Sequence, residues 1–247
     1  MEKSLNSGTE AVVVEQNMGF WAKFGNIFAS PTKTFEAIDR KPTWILPLGL
    51  LIVVSVILTQ LAFPIIMNAQ LENLRNNPNL TSEQIELYEA QFTKNVNMQR
   101  GITVAAQVIG TPIVFFIVVG IFYFIGNVLL GGDASYKKLL GVYCWSACIL
   151  IISSIVMTPL IIAKQSLSVS LSPAMLLSGD ALRTKLYTLL SKFDFFTIWF
   201  LAVFAIGYGV IYKFSKAKAF TAVGIAWGIW IAISVVFSDI FKRFGLG

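Results

Sequence analysis

The sequence predicts an all-α integral membrane protein: five transmembrane helices, preceded by N-terminal amphipathic helices and carrying a helical hairpin in the first outer loop. Three observations carry that expectation. Of the 247 residues, 56% are hydrophobic and only 13% are charged, against roughly 25% charge in a soluble domain. The apolar residues fall into five runs, near residues 44–67, 102–130, 139–163, 195–213 and 219–237. Each is long enough to cross a hydrocarbon core of about 30 Å at about 1.5 Å per residue. Within those runs no Asp, Glu or Arg stands well away from a boundary, and Lys213 lies where it can snorkel.

Taken in order, residues 1–18 read as a flexible tail and residues 19–43 as two short cytoplasmic helices, with the five-span domain over 44–247. The tail has no apolar run long enough for a cleavable signal, since Glu10 and Glu15 flank Ala11 to Val14, so the first span is expected to act as its own insertion signal. Trp21, Phe24 and Phe28 recur at i, i+3 and i+7 beside Lys23, an apolar stripe expected to contact the membrane surface. Ser30 and Pro31 read as an N-cap and first-turn proline restarting the helix. The restarted helix sets Phe35 and Ile38 on one side and Lys33 and Glu36 on the other. Two readings stay open: the pair lies on the inner leaflet, or it packs against the bundle.

Leu71 and Leu74 extend the first helix toward Pro78, and Thr81 with Gln84 forms a capping box that starts a second arm. Ile85, Tyr88, Phe92 and Val96 continue at helical spacing, with Glu83, Glu86 and Glu89 expected on the outer side as a solvated acidic face. Pro112 in the long second span predicts a tilt or kink there. Pro47, Pro64 and Pro159 lie near span ends, where they trim or bend helix termini. The second long connection opens with an alternating stretch, Ser166 to Pro173, that suits extended chain. From Asp180 to Lys192, Leu182, Leu186, Leu189 and Leu190 with Arg183 and Lys185 predict an interfacial helix, and Asp194 should cap the fourth span.

Orientation follows from Lys and Arg. With the N-terminus inside, the inner segments hold Lys3, Lys23, Lys33, Arg40, Lys41, Lys137, Lys138, Lys213, Lys216 and Lys218. The inner connections are short and basic, whereas the outer ones are long and more acidic. This predicts a multi-pass protein of the inner (plasma) membrane with a cytoplasmic N-terminus and an external C-terminus. The net charge of +6 suits anionic lipid headgroups, so the expected partner is the bilayer, with protein partners or a second copy beside it and no nucleic acid.

Chemistry is sparse. There is no histidine, which removes imidazole bases, histidine metal ligands and Ser/His/Asp or Cys/His triads. Cys144 and Cys148 share one helix face and read as small packing residues. No catalytic, cofactor-binding or metal-binding residue is expected, and no cofactor. Pro112, Asn127, Tyr143, Ser153, Ser154 and Pro159, with Gln60, Gln107 and Thr158, are either a neutral pathway or interhelical hydrogen-bond partners. Gly224, Gly228 and Ala232, like Ala106 and Gly110, follow the small-xxx-small spacing that lets helices approach closely.

The stretch Phe28-Ala-Ser-Pro-Thr-Lys-Thr-Phe-Glu-Ala-Ile, followed by Lys41-Pro-Thr-Trp-Ile-Leu-Pro-Leu, resembles the bacterial branch of the Yip domain family, the Ypt/Rab-interacting membrane proteins. Gly131 and Gly132, Tyr136 and Lys137, and Leu140 to Ala147 are similar to the family's entry into its third span, and Asp194 to Trp199 to its entry into the fourth. The resemblance implies a five-span bundle with a cytoplasmic N-terminus. Eukaryotic members act in vesicle trafficking with Rab-type GTPases and with one another, but the chain lacks their Asp-Leu-Tyr-Gly-Pro type motif before the first span. The expected function is non-enzymatic scaffolding of membrane and partner proteins. The alternative is a channel, permease or lipid-translocating protein for a neutral or amphipathic solute. An intramembrane hydrolase would need a serine or cysteine nucleophile working without histidine.

Overall fold

A computed structural model describes residues 18–238 apart from 78, 168, 178 and 180–183. The described part is all-helical. Two short helices, α1 (Phe20–Ala29) and α2 (Pro31–Arg40), lead into α3 (Ile45–Arg75), α4 (Ser82–Lys94), α5 (Val96–Phe124), α6 (Tyr136–Ser146) and α7 (Cys148–Lys164). After these come α8 (Lys185–Ser191), α9 (Phe195–Tyr212) and α10 (Lys216–Val236). Five spans are long and apolar enough to cross a membrane: α3, α5 with its continuation to Leu129, α6 with α7, α9, and α10. The expected tail at 1–17 and the start of the expected helix at 180–183 lie outside the described residues.

The connection between α3 and α5 starts its helix with the cap the sequence predicts. Thr81 and Gln84 complete the capping box, Thr81 Oγ1 accepting from the Gln84 amide at 3.3 Å and Gln84 Oε1 from the Thr81 amide at 3.0 Å. Arg75 at the end of α3 forks onto both carboxylate oxygens of Glu89 on α4, with the Nη2 contact at 3.1 Å, which ties the two arms together. The stripe is therefore rotated from expectation. Glu89 turns inward beside Ile85 and Phe92, whereas Tyr88 is exposed and Glu83 and Glu86 stay outside. The guanidinium holds the Glu89 carboxyl below its usual range, chiefly through this hydrogen bond.

Irregular backbone marks the end of α5 and the middle of the third span. α5 continues through Pro112 and gives way to a π-turn at Ile125–Leu129. The loop after it folds back, with Gly132 donating its amide to Gly126 O at 2.8 Å and Asn127 Nδ2 bonding Ala134 O at 3.2 Å. The third span is divided at Ala147. Asp194 caps α9 as predicted, its Oδ1 accepting from the amides of Phe196 and Thr197 at 3.0 and 3.3 Å. In the connection between α7 and α9, Ser172 opens a 3-10 turn at Pro173–Leu176, and α8 follows against α10.

One core runs through the molecule, and the leader belongs to it: Ile27, Phe35 and Ile38 are fully buried with Leu139, Val142, Trp145 and Phe204. Burying those large side chains needs close backbone approach. At Gly207 on α9 a Cβ would stand 2.4 Å from Val142 Cγ1 and 3.0 Å from the Phe35 ring, and at Gly141 on α6 it would stand 3.0 Å from Ile38 Cγ2. The small-xxx-small residues play no such part, because Gly224, Gly228 and Gly110 meet nothing within 4 Å. Gly224 and Gly228 lie exposed, facing no other helix of the described residues. Spacing identifies a stripe that permits approach, but only a facing helix makes use of it. Gly207→Ala is expected to destabilise the protein by roughly 1–3 kcal/mol through overpacking. Gly224→Leu should leave the melting temperature in detergent unchanged, which thermal unfolding followed by tryptophan fluorescence would check.

Candidate functional site

The leader is the one segment of the described chain whose position its own composition leaves open, and it carries a charge that the fold buries. α2 lies against α9 and α6, with Phe35 beside Gly207 and Ile38 beside Gly141. Each glycine stands five residues from its helix end, about 7.5 Å along the axis, so α2 is seated within the bundle end. Pro31 begins α2 as expected, but the Ser30 side chain makes no cap, and its carbonyl accepts from the Lys33 amide instead. Thr34, fully buried, donates from Oγ1 to Lys23 O at 3.2 Å and joins the two leader helices.

The expected surface stripe is split. Trp21 is 75% exposed. Phe24 and Phe28 are half-buried and join an aromatic chain that runs from Phe24 through Phe28 to Trp199 on α9. Lys23 turns inward, away from the stripe, and is only 6% exposed. The reason is local: Lys23 falls four residues before Ile27, on the side of α1 that faces the core. Its Nζ donates to Thr43 Oγ1 at 3.1 Å and lies 5.9 Å from the Trp145 ring centroid. Trp145 Nε1 in turn donates to Thr43 O at 2.9 Å and to Thr43 Oγ1 at 3.1 Å. Lys138 pairs with Asp39 at 2.6 Å, so α2 is held to α6 by charge as well as packing. Burial pushes the Lys23 ammonium below the ordinary lysine value, and the like charge of Lys41 adds to the shift.

The polar residues of the spans are dispersed. Ser154 donates to Leu150 O on its own helix at 2.9 Å, the usual way a serine satisfies itself in a helix. Ser153 is half-buried on α7 and Thr158 buried, while Pro159 is exposed and Pro112 half-buried. Gln107 bonds Thr59 across α5 and α3 at 2.7 Å. Asn127 serves the turn after α5. Tyr143 is enclosed by rings, with Phe115, Phe204 and Phe200 at centroid distances of 4.8, 5.3 and 5.4 Å. Tyr208 donates to Phe122 O at 3.0 Å. Gly126 approaches so closely that a Cβ there would stand 2.3 Å from Tyr212 Cζ. Buried polar atoms without a protein partner include Gln60 Nε2, Gln107 Oε1, Asn127 Oδ1 and the Tyr212 hydroxyl. Sequence reasoning missed Thr43, Trp145, Gly141, Gly207, Tyr208 and Tyr212 as packing and hydrogen-bonding centres. For Gly141 and Trp145 the Gly-Val-Tyr-Cys-Trp stretch at 141–145 was the visible signal.

A depressed lysine value fixes the sign of a pH effect. The unfolded chain binds the Lys23 proton more tightly than the folded one, so the cost of burying it is present at neutral pH. That cost fades as pH rises from the folded value toward the unfolded one. In a lipid-free zwitterionic detergent, wild type is therefore expected to gain melting temperature relative to Lys23→Met between pH 7 and pH 10. A gap that moves the other way would contradict the burial of a charged group.

The family model for the Yip1 domain matches residues 25–238, from within α1 to just past α10. No curated protein and no solved structure matches the chain.

Proposed function

Because the chain belongs to the Yip1 domain family, we propose that it is a non-enzymatic membrane protein that organises the bilayer and partner proteins around it. In this reading it sits in the inner (plasma) membrane with the N-terminus cytoplasmic and the C-terminus outside. The observation that carries the reading is how the space between the spans is filled. Phe115, Tyr143, Phe200, Phe204, Phe122 and Tyr208 interlock edge to face and stacked through α5, α6 and α9, an arrangement that favours a solid core. Tyr143, weighed in the sequence as a pathway residue, is a member of that ladder. A pathway needs polar groups converging on one passage, whereas the hydroxyls of Ser146 and Ser154 return to their own helices.

Orientation rests on charge. Lys33, Arg40, Lys41, Lys137, Lys213, Lys216 and Lys218 are exposed at the end that carries the leader, where the positive-inside rule expects the cytoplasm. The non-enzymatic reading is supported by a sequence without histidine or a recognisable nucleophile motif.

Reconstituted in liposomes, the protein is expected to pass neither ions nor fluorescent lipid above the level of empty vesicles. In-cell crosslinking should capture it with protein partners or a second copy. Protein-dependent flux that Ser154→Leu or Tyr143→Ala alters would overturn the scaffold in favour of a pathway.

A further inference from the structure

Lys23 is a buried cation for which no described residue offers a countercharge. An ammonium has three donors, and Lys23 uses one, on a neutral hydroxyl. Its other polar neighbour is the face of Trp145, and the charge that acts on it most is another lysine, Lys41. Of the two acidic residues on α2, Glu36 is exposed to solvent and Asp39 is engaged with Lys138. Burying a charge in this way is costly unless an anion compensates it. Thr43 Oγ1 accepts from both Lys23 and Trp145, and its own hydrogen is given to no described residue. Two ammonium hydrogens, one hydroxyl hydrogen and the exposed Lys41 side chain thus stand together at the short connection between α2 and α3.

We infer that Lys23, Thr43 and Lys41 form a binding site for a phosphate group carrying net negative charge. Ammonium and hydroxyl donors around an uncompensated positive centre are the chemistry that holds such an oxyanion. The surroundings favour a phospholipid as its source over free phosphate. Directly after the site, Ile45 and Leu46 are 66% and 65% exposed on α3, followed by exposed Gly49 and Val53. An acyl chain descending from a headgroup at Thr43 would lie along this strip. Trp44 stands between headgroup level and strip, half-buried, as tryptophans at membrane interfaces do. The lipid would then supply the countercharge that keeps the leader seated. This inference stands apart from the scaffold reading, since a channel could hold such a lipid equally well.

The test uses the full chain in bilayer discs of equal phosphatidylglycerol and phosphatidylcholine, released into native mass spectrometry. Wild type is expected to retain one phosphatidylglycerol at least fivefold more often than phosphatidylcholine. Lys23→Met should abolish that preference, Lys23→Arg should keep it, and Lys216→Gln, an equal loss of charge on another helix, should leave it unchanged. Undiminished preference in Lys23→Met, or an equal loss in Lys216→Gln, would overturn the site. In a second arm, delipidated protein in neutral detergent is titrated with sodium phosphate against sodium chloride of equal ionic strength. A saturable rise in melting temperature that Lys23→Met lacks, without lipid preference, would assign the site to free phosphate; no response in either arm overturns it. Should Lys23→Met not fold, Lys41→Gln carries the test from the exposed side, with at least a threefold loss of preference expected and none counting against the site.

Discussion

Seating α2 in the end of the bundle is the constraint on which the rest of this architecture depends. Two helices give up their side chains to admit it, α6 at Gly141 and α9 at Gly207. Phe35 and Ile38 fill the resulting notch and are lost from solvent entirely. Once α2 is fixed, the connection to α3 is short, and Thr43 is carried to where Trp145 can donate to it. The start of the first span is thereby tied to the middle of the third, and α1 follows because Thr34 bonds its backbone. Loosening either glycine contact would disturb all of these at once, since they share one core.

The outside of the bundle obeys a different rule. Ile57, Leu61, Ile109, Ile117 and Ile229 are more than half exposed, as lipid-facing residues should be, because hydrocarbon replaces water there. Inside, cohesion comes from interlocked rings and from side-chain hydrogen bonds between neutral groups, most of them closing within a helix or to a neighbour's backbone. Lys23 breaks this pattern. A buried ammonium without a carboxylate among the described residues is the kind of local inconsistency that natural proteins keep where a ligand or function compensates it.

Much of this was legible in the sequence, and the parts that were not share a cause. The five spans declare themselves because charge-free runs of sufficient length have few alternatives. The α3–α4 hairpin was legible through Thr81 and Gln84, whose capping is a contact between residues three apart. The leader's stripe was legible as an apolar face, but a stripe does not say what covers it, and Lys23 looked like its polar border. Close-approach glycines were misplaced for the same reason. Gly224 and Gly228 have the right spacing and no neighbour, while Gly141 and Gly207 are made necessary by Ile38 and Phe35, more than a hundred residues away in the chain. The inward turn of Glu89 likewise depended on Arg75 standing opposite. Local patterns predict local structure, whereas the choice of partner is settled by the whole fold.

The central claim is that the leader is part of the bundle, with α2 packed against α6 and α9. Replacing Cys144 and Cys148 with Ala and introducing Ile38→Cys with Gly141→Cys tests it directly, because Ile38 Cγ2 lies 3.0 Å from where a Cβ at position 141 would stand. A disulfide needs Cβ atoms only about 3.5–4.5 Å apart. On mild oxidation of intact membranes the pair is predicted to crosslink nearly completely, and the single-cysteine chains not at all. A folded double-cysteine chain that stays uncrosslinked would place α2 away from α6 and contradict the account.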